Sequence, residues 1–129
     1  MNEHGSFSMK IVDRTLMVEA VGAWNLETAI RWGQEFKLLV SSIEELQWAC
    51  LVDLSNFELA IPEVWEHLDS VNKWSNLHNQ KYEAVVCSLS LQKVLIEKSH
   101  AALTNVETKF CEDLNEAFEW LEIMGVLKT

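Results

Sequence analysis

The stretch WACLVDLSN, residues 48–56, ends in an acid and two small polar side chains, Asp53, Ser55 and Asn56; EAVVCSLS, residues 83–90, ends in Ser88 and Ser90. An acid beside hydroxyls can orient a water or hold a ligand hydroxyl, and in open α/β sheets ligands gather at the carboxyl ends of strands. The plainer alternative is that Asp53 and Ser55 bond their own backbone and shape a turn. No histidine is fixed beside these residues in the sequence, so a nucleophile–base–acid triad has no support. There is no G-x-S-x-G, no Walker loop, no G-x-G-x-x-G and no H-E-x-x-H. With four glycines in all, the chain cannot assemble a glycine-lined phosphate cradle. It reads as non-catalytic, with no cofactor.

The four histidines raise the question of a metal. His67 and His78 fall on one flank of an expected helix, but at ~1.5 Å rise per residue they lie about 16 Å apart, too far for one ion. His4 sits near the N-terminus, and His100 has no histidine or cysteine one helical turn away. No metal site is expected. Six tryptophans say more. Trp48 and Trp120 read as core. Trp32 with Leu39, and Trp74 with Leu77, read as apolar flanks beside the buried stripes of two helices. Such flanks mark a subunit or partner interface, or they seal the boundary between sheet and helix.

The elements that position these residues follow from periodicity. FSMKIV (Phe7–Val12) and TLMVEAV (Thr15–Val21) alternate about Asp13-Arg14. A two-residue turn there pairs Ile11 with Leu16, Met9 with Val18 and Phe7 with Ala20 on one face. Asn25 caps a first helix whose stripe is Leu26, Ala29, Ile30, Gly33, Phe36 and Val40. Trp48–Leu54 and Glu83–Leu89 are strands apolar on both faces, as central strands are. Pro62 suits the first turn of a second helix burying Ile61, Val64, Leu68 and Val71. Ser90 caps a third helix containing Leu91, Val94, Leu95, Ile96, Ala102 and Leu103. Val106–Phe110 alternates like an edge strand. Asp113 and Glu116 form a capping box for a last helix burying Leu114, Ala117, Phe118, Leu121 and Met124. The order ββαβαβαβα predicts a single α/β domain over residues 1–129, with its core at about 7–124. Its five-stranded mixed sheet is mostly parallel, with an N-terminal antiparallel hairpin and helices mainly on one face.

Composition removes several partners. The chain has 129 residues and a formal net charge of −10, twenty acids against ten bases. Such a surface repels phosphate backbones and anionic lipid, so nucleic acid is not an expected partner. No apolar run approaches the ~20 residues that span a bilayer, so membrane insertion is not expected either. The start of the chain lacks the pattern of a signal peptide, and a cytoplasmic protein is expected. Cys50, Cys87 and Cys111 are an odd number without a C-x-x-C pair, so no disulfide framework is expected.

The hairpin, the alternation of helix and strand, and LVDLSNF (Leu51–Phe57) leading into a helix resemble the STAS superfamily. These are the anti-sigma-factor antagonists and the related SpoIIAA-like proteins. The resemblance runs from Phe7 to about Leu121, and FCEDLNEAFEWL (Phe110–Leu121) is similar to the final strand and helix of the SpoIIAA-like branch. It implies the five-stranded fold and a regulatory role with a protein partner. In the phospho-regulated antagonists a strand ends in an Asp-x-Ser-like sequence, and a serine opening the next helix is phosphorylated. Asp53-Leu54-Ser55 match the strand end, but the position of the Asp-Ser-Ser segment falls on Ile61-Pro62-Glu63. None of the three carries a hydroxyl, and Glu63 places a permanent negative charge near a helix N-terminus. The resemblance therefore implies a relay-type fold without its switch. The SpoIIAA-like branch is also related to CRAL-TRIO lipid-transfer domains, which implies as an alternative a small apolar or lipid ligand under the second and third helices.

Three function classes follow. A non-enzymatic regulatory or protein-interaction module, working as a homodimer, leads. An apolar-ligand or lipid-binding module is the alternative. A hydrolase built on Asp53 and a serine comes last.

Overall fold

The structure, a computed structural model, describes residues 3–58, 61–87, 94, 96–98 and 100–128. Its elements are β1 (Ser6–Val12), β2 (Thr15–Gly22), α1 (Leu26–Val40), β3 (Trp48–Phe57), α2 (Pro62–Asn76) and β4 (Gln80–Val86). Residues 94 and 96–98 are then helical, a 3-10 turn spans His100–Ala102, and β5 (Glu107–Cys111) leads to the C-terminal helix, Leu114–Ile123. The five strands lie in sequential order; β1 and β2 are antiparallel and every later pair is parallel.

The hairpin has the register its alternation predicts, with Ile11 opposite Leu16, Met9 opposite Val18 and Phe7 opposite Ala20. Each parallel step advances in the same direction across the sheet. Right-handed crossovers advancing one way put their connecting segments on one face. That face receives α1, α2 and Ile96, and it holds the larger core, from Leu16, Val18 and Ala20 to Trp48, Cys50, Leu54 and Val85. The C-terminal helix follows the last strand and turns to the opposite face. There Ala117 and Leu121, with Val126 and Leu127, cover Ala49, Leu51, Ala84, Val86 and Cys111. The central strands are thus covered on both faces by the chain's own segments.

Local chemistry sets the helix ends. Asn25 accepts from the Thr28 amide at 3.1 Å and Asp113 from the Glu116 amide at 2.8 Å. Glu116 reaches back to the amide of Glu112 rather than to that of the cap residue itself. Ile61, 53 % exposed, is the cap position of α2 and makes no side-chain cap bond, so it lies outside the buried set expected for that helix. The stripe of α1 is also rotated from expectation: Thr28, Ala29, Trp32, Gly33, Phe36 and Val40 are buried, and Leu26 and Ile30 are exposed. The reason is α2. Gly33 has no Cβ, and the His67 ring and the Val71 methyl come within 3.0 and 3.1 Å of where one would stand. That close approach turns Trp32 inward.

β3 runs three residues beyond its expected end at Leu54. Glu19 faces Asp53 and Val21 faces Asn56, so Leu54 and Ser55 together oppose Ala20. This is a β-bulge, one extra residue that re-aims the strand. The expected helix cap at Ser90, with Leu91 and Leu95, lies outside the described residues.

Candidate functional site

Under the bulged end of β3 the larger core opens into a pocket of about 60 Å³ between the sheet, α1, α2, Ile96 and His100. One side is an aromatic arc. Trp24 lies 5.9 Å from Trp32 and 5.5 Å from Phe57, Trp32 lies 4.9 Å from Phe36, and Phe57 lies 6.2 Å from Trp65, all between ring centres. Tilted and edge-on contacts at these separations fix the rings against one another. Trp65, Leu68 and Asn72 of α2 are only half-buried and form the mouth.

The pocket also contains a buried acid. Glu83 is 3 % exposed and stands across from Cys50 in the register of β3 and β4. Its Oε1 accepts from Gln80 Nε2 at 3.0 Å. Its Oε2 meets Nε2 of His100. The other ring nitrogen of His100, Nδ1, lies 2.7 Å from the carbonyl oxygen of Ile96. A carbonyl only accepts, so Nδ1 carries a proton and donates it. The contact between Glu83 and His100 then needs one more proton. Whether that proton sits on oxygen or nitrogen, the pair has no net charge.

Cys50 completes the cluster. Burial pushes its thiol well above the usual range, and the Glu83 carboxylate raises it further by its charge and by accepting a hydrogen bond. A reactive cysteine needs the opposite, an electropositive setting that favours thiolate. In this cluster of thiol, carboxylate and imidazole the thiol is biased toward its protonated form.

The strand-end residues lie elsewhere. Asp53 faces the other side of the sheet, in an open groove with Lys10, Met17, Glu19 and Phe118. Its Oδ1 accepts from the Ser55 amide at 3.0 Å and from the Ser55 hydroxyl at 2.6 Å, bonds that brace the bulge. Asn56 is exposed, and Ser88 and Ser90 lie outside the described residues. Glu63 is exposed in the first turn of α2, behind Pro62.

The expected interface residues divide. Trp32, 7 % exposed, belongs to the pocket wall. Leu39 and Trp74 are half-buried against the core, and Leu77 is 78 % exposed. Trp74 stacks on the His78 ring at 3.9 Å, and His78 lies past the end of α2. His67 sits against Gly33, where desolvation and then the charge of Lys37 hold its imidazole below the usual value. Among the described residues no three His, Cys, Asp or Glu side chains are grouped to hold a metal. No helix among them is long and apolar enough to cross a membrane.

Sequence reasoning missed Glu83 and His100 as a pair. The one signal present was an acid opening an otherwise apolar central strand, which calls for a buried partner. Nothing in the spacing points to His100, because the crossover that delivers it is not periodic with β4.

No protein-family model and no curated protein sequence matches the chain. Solved structures do match in fold. An uncharacterized protein from the DUF3478 family with a SpoIIAA-like fold, from Shewanella loihica PV-4, superposes with a TM-score of 0.70 at 18 % identity, covering 94 % of this chain and 96 % of its own. An anti-sigma factor antagonist from Mycobacterium paratuberculosis superposes with a TM-score of 0.60 at 13 % identity, covering 95 % and 93 %. The chain has the SpoIIAA-like fold.

Proposed function

We propose that this chain is a non-enzymatic regulatory binding module whose working site is the pocket between α1, α2 and the sheet, filled by a small apolar ligand. One observation carries this reading: an apolar, aromatic-walled pocket with a paired acid and imidazole inside it. A pocket of this make-up, apolar with few convergent polar groups, is the usual form of a small-molecule site. The cluster lacks an activated nucleophile, which argues against catalysis. Ile61, Pro62 and Glu63 offer no hydroxyl, so on this reading the ligand, not a phosphate at that position, sets the state of the module. The reading includes a cytoplasmic location, which suits three free thiols. Native mass spectrometry of protein purified without added ligand tests it. The expected result is a constant added mass that is lost on denaturation. Bare chain, together with no thermal shift across a panel of small apolar compounds, counts against it.

A protein partner is the second reading, favoured by Leu77, which is 78 % exposed beside half-buried Trp74, and by the fold shared with an anti-sigma factor antagonist. Leaving such side chains in water forgoes roughly 1.5–3 kcal/mol for each one that could be fully buried. A second copy of the chain is the simplest cover. Sedimentation equilibrium is expected to give twice the 14.8 kDa chain mass, and Leu77→Glu is expected to weaken association without unfolding the domain. A monomer at high concentration removes this reading.

A further inference from the structure

We infer that the pocket selects uncharged ligands: an apolar body carrying a neutral hydrogen-bond-accepting oxygen, as in an alcohol, a ketone or an amide. Carboxylates and ammonium ions of the same length are rejected. This rests on the pocket being the ligand site, and it adds the chemistry of the head group.

Charge balance carries the first part. Among the described residues, the ionisable side chains lining the pocket are Cys50, Glu83 and His100. Cys50 is a buried thiol, and Glu83 and His100 meet each other with no net charge between them. The remaining described wall is aliphatic and aromatic apart from Asn72. An ionised head entering this space gives up its hydration and finds no unmatched countercharge among the described residues. A carboxylate can reach His100 only by taking it from Glu83, which leaves that carboxylate buried and unpaired unless it picks up a proton. An ammonium can reach Glu83 only by displacing His100. Neither step burdens a neutral head.

The second part rests on an unpaired donor. The indole Nε1 of Trp32 is buried and has no hydrogen-bond partner among the described residues. Trp32 is more than nine-tenths buried and lines the same pocket. A buried N–H without an acceptor is unfavourable, and a ligand oxygen satisfies it. The neutral acceptor is thus the head group that completes the wall without disturbing the Glu83–His100 pair.

The pocket's small volume, about 60 Å³, sets the scale of the probes. An engineered cavity that holds benzene measures about 150 Å³, so short chains whose ends reach out through the mouth are the right ones. The test titrates the nitrogen-15-labelled chain at pH 7.5 with 1-hexanol, 2-hexanone, hexanoate, hexylammonium and hexane, following the six indole N–H signals. The Trp32 signal is assigned by its loss in Trp32→Phe. Hexanol and hexanone are expected to move it downfield, as a new hydrogen bond does. Hexanoate and hexylammonium are expected to bind at least about tenfold more weakly. Hexane is expected to perturb the aromatic signals without the downfield shift. Trp32→Phe is expected to weaken hexanol several-fold more than it weakens hexane. If either ion binds as tightly as hexanol, head-group selection is wrong while the pocket stands. If the Trp32 signal is indifferent to the head group, the donor assignment is wrong. If none of the five probes moves any pocket signal, the ligand-site reading falls with the proposal. The relative affinities of the head-group series need no variant, so a poorly folding Trp32→Phe leaves the selection test intact.

Discussion

Glu83 and His100 meet as a buried pair across the pocket, the carboxylate from β4 and the imidazole from the 3-10 turn before β5. The contact ties a crossover segment to the sheet. His100→Leu strands a buried acid and is expected to cost about 3–5 kcal/mol. Glu83→Gln keeps the shape and the bond to Gln80 and lets the ring stay neutral, so about 1 kcal/mol is expected. The double variant Glu83→Leu/His100→Leu is expected to recover most of the larger loss, because packed apolar side chains replace buried ion pairs well. Urea unfolding of the four proteins measures this. Equal single costs with no recovery would show that the pair is not the link described.

Thiol chemistry reports on the same cluster. Cys87 is half-buried, whereas Cys50 and Cys111 are buried and burial pushes both thiols up. A disulfide reagent at pH 8 is expected to consume one thiol quickly and two slowly. Glu83→Gln is expected to speed the reaction of Cys50, since the neighbouring carboxylate opposes thiolate formation. Three fast thiols in the folded chain would contradict the burial of Cys50.

His67 should make stability depend on pH. Its imidazole is held below the usual value of about 6.5. A group depressed in this way binds its proton more tightly in the unfolded chain, so stability is unaffected well above 6.5 and declines as pH falls through it. The decline levels off once the folded protein also takes up the proton. Urea midpoints at pH 7.5 and 5.5 are expected to differ more in the wild type than in His67→Gln. An unchanged difference would assign the slope to other groups.

Asp53 braces the bulge, and its face of the sheet is remote from the pocket. Asp53→Ala is expected to cost about 1 kcal/mol and to leave hexanol binding unchanged. Neither the wild type nor the variant is expected to hydrolyse generic esters or phosphates. Robust turnover abolished by this substitution would move the chain to the hydrolase class.

Periodicity made the backbone legible and the site only partly so. The hairpin register, the cap at Asn25 and Pro62 in the first turn of α2 followed from spacing, because each is a local rule. Trp32 was misplaced because Ala29, Trp32, Gly33, Phe36 and Val40 form as good a stripe as one using Leu26 and Ile30. The choice between them depends on how near α2 approaches at Gly33, which no single helix encodes. Asp53 and Ser55 were found as neighbours, and their bonds to each other follow the plainer reading of the two. His100 was recognised as lacking a helical-turn partner, and its actual partner lies on another element.

The extra residue in β3 has a consequence for how such a pocket arises. In a strand of unbroken alternation, Leu54 and Phe57 would point to opposite faces. With one residue looped out at Leu54–Ser55, both enter the same core, and Phe57 joins the aromatic arc. The bulge absorbs the extra residue, so Phe57 stays opposite Gly22 and keeps the face that Leu16, Val18 and Ala20 share. Closing the bulge by removing the looped-out residue would leave the ring where it is; only a further insertion or deletion that the strand could not loop out would turn it toward solvent.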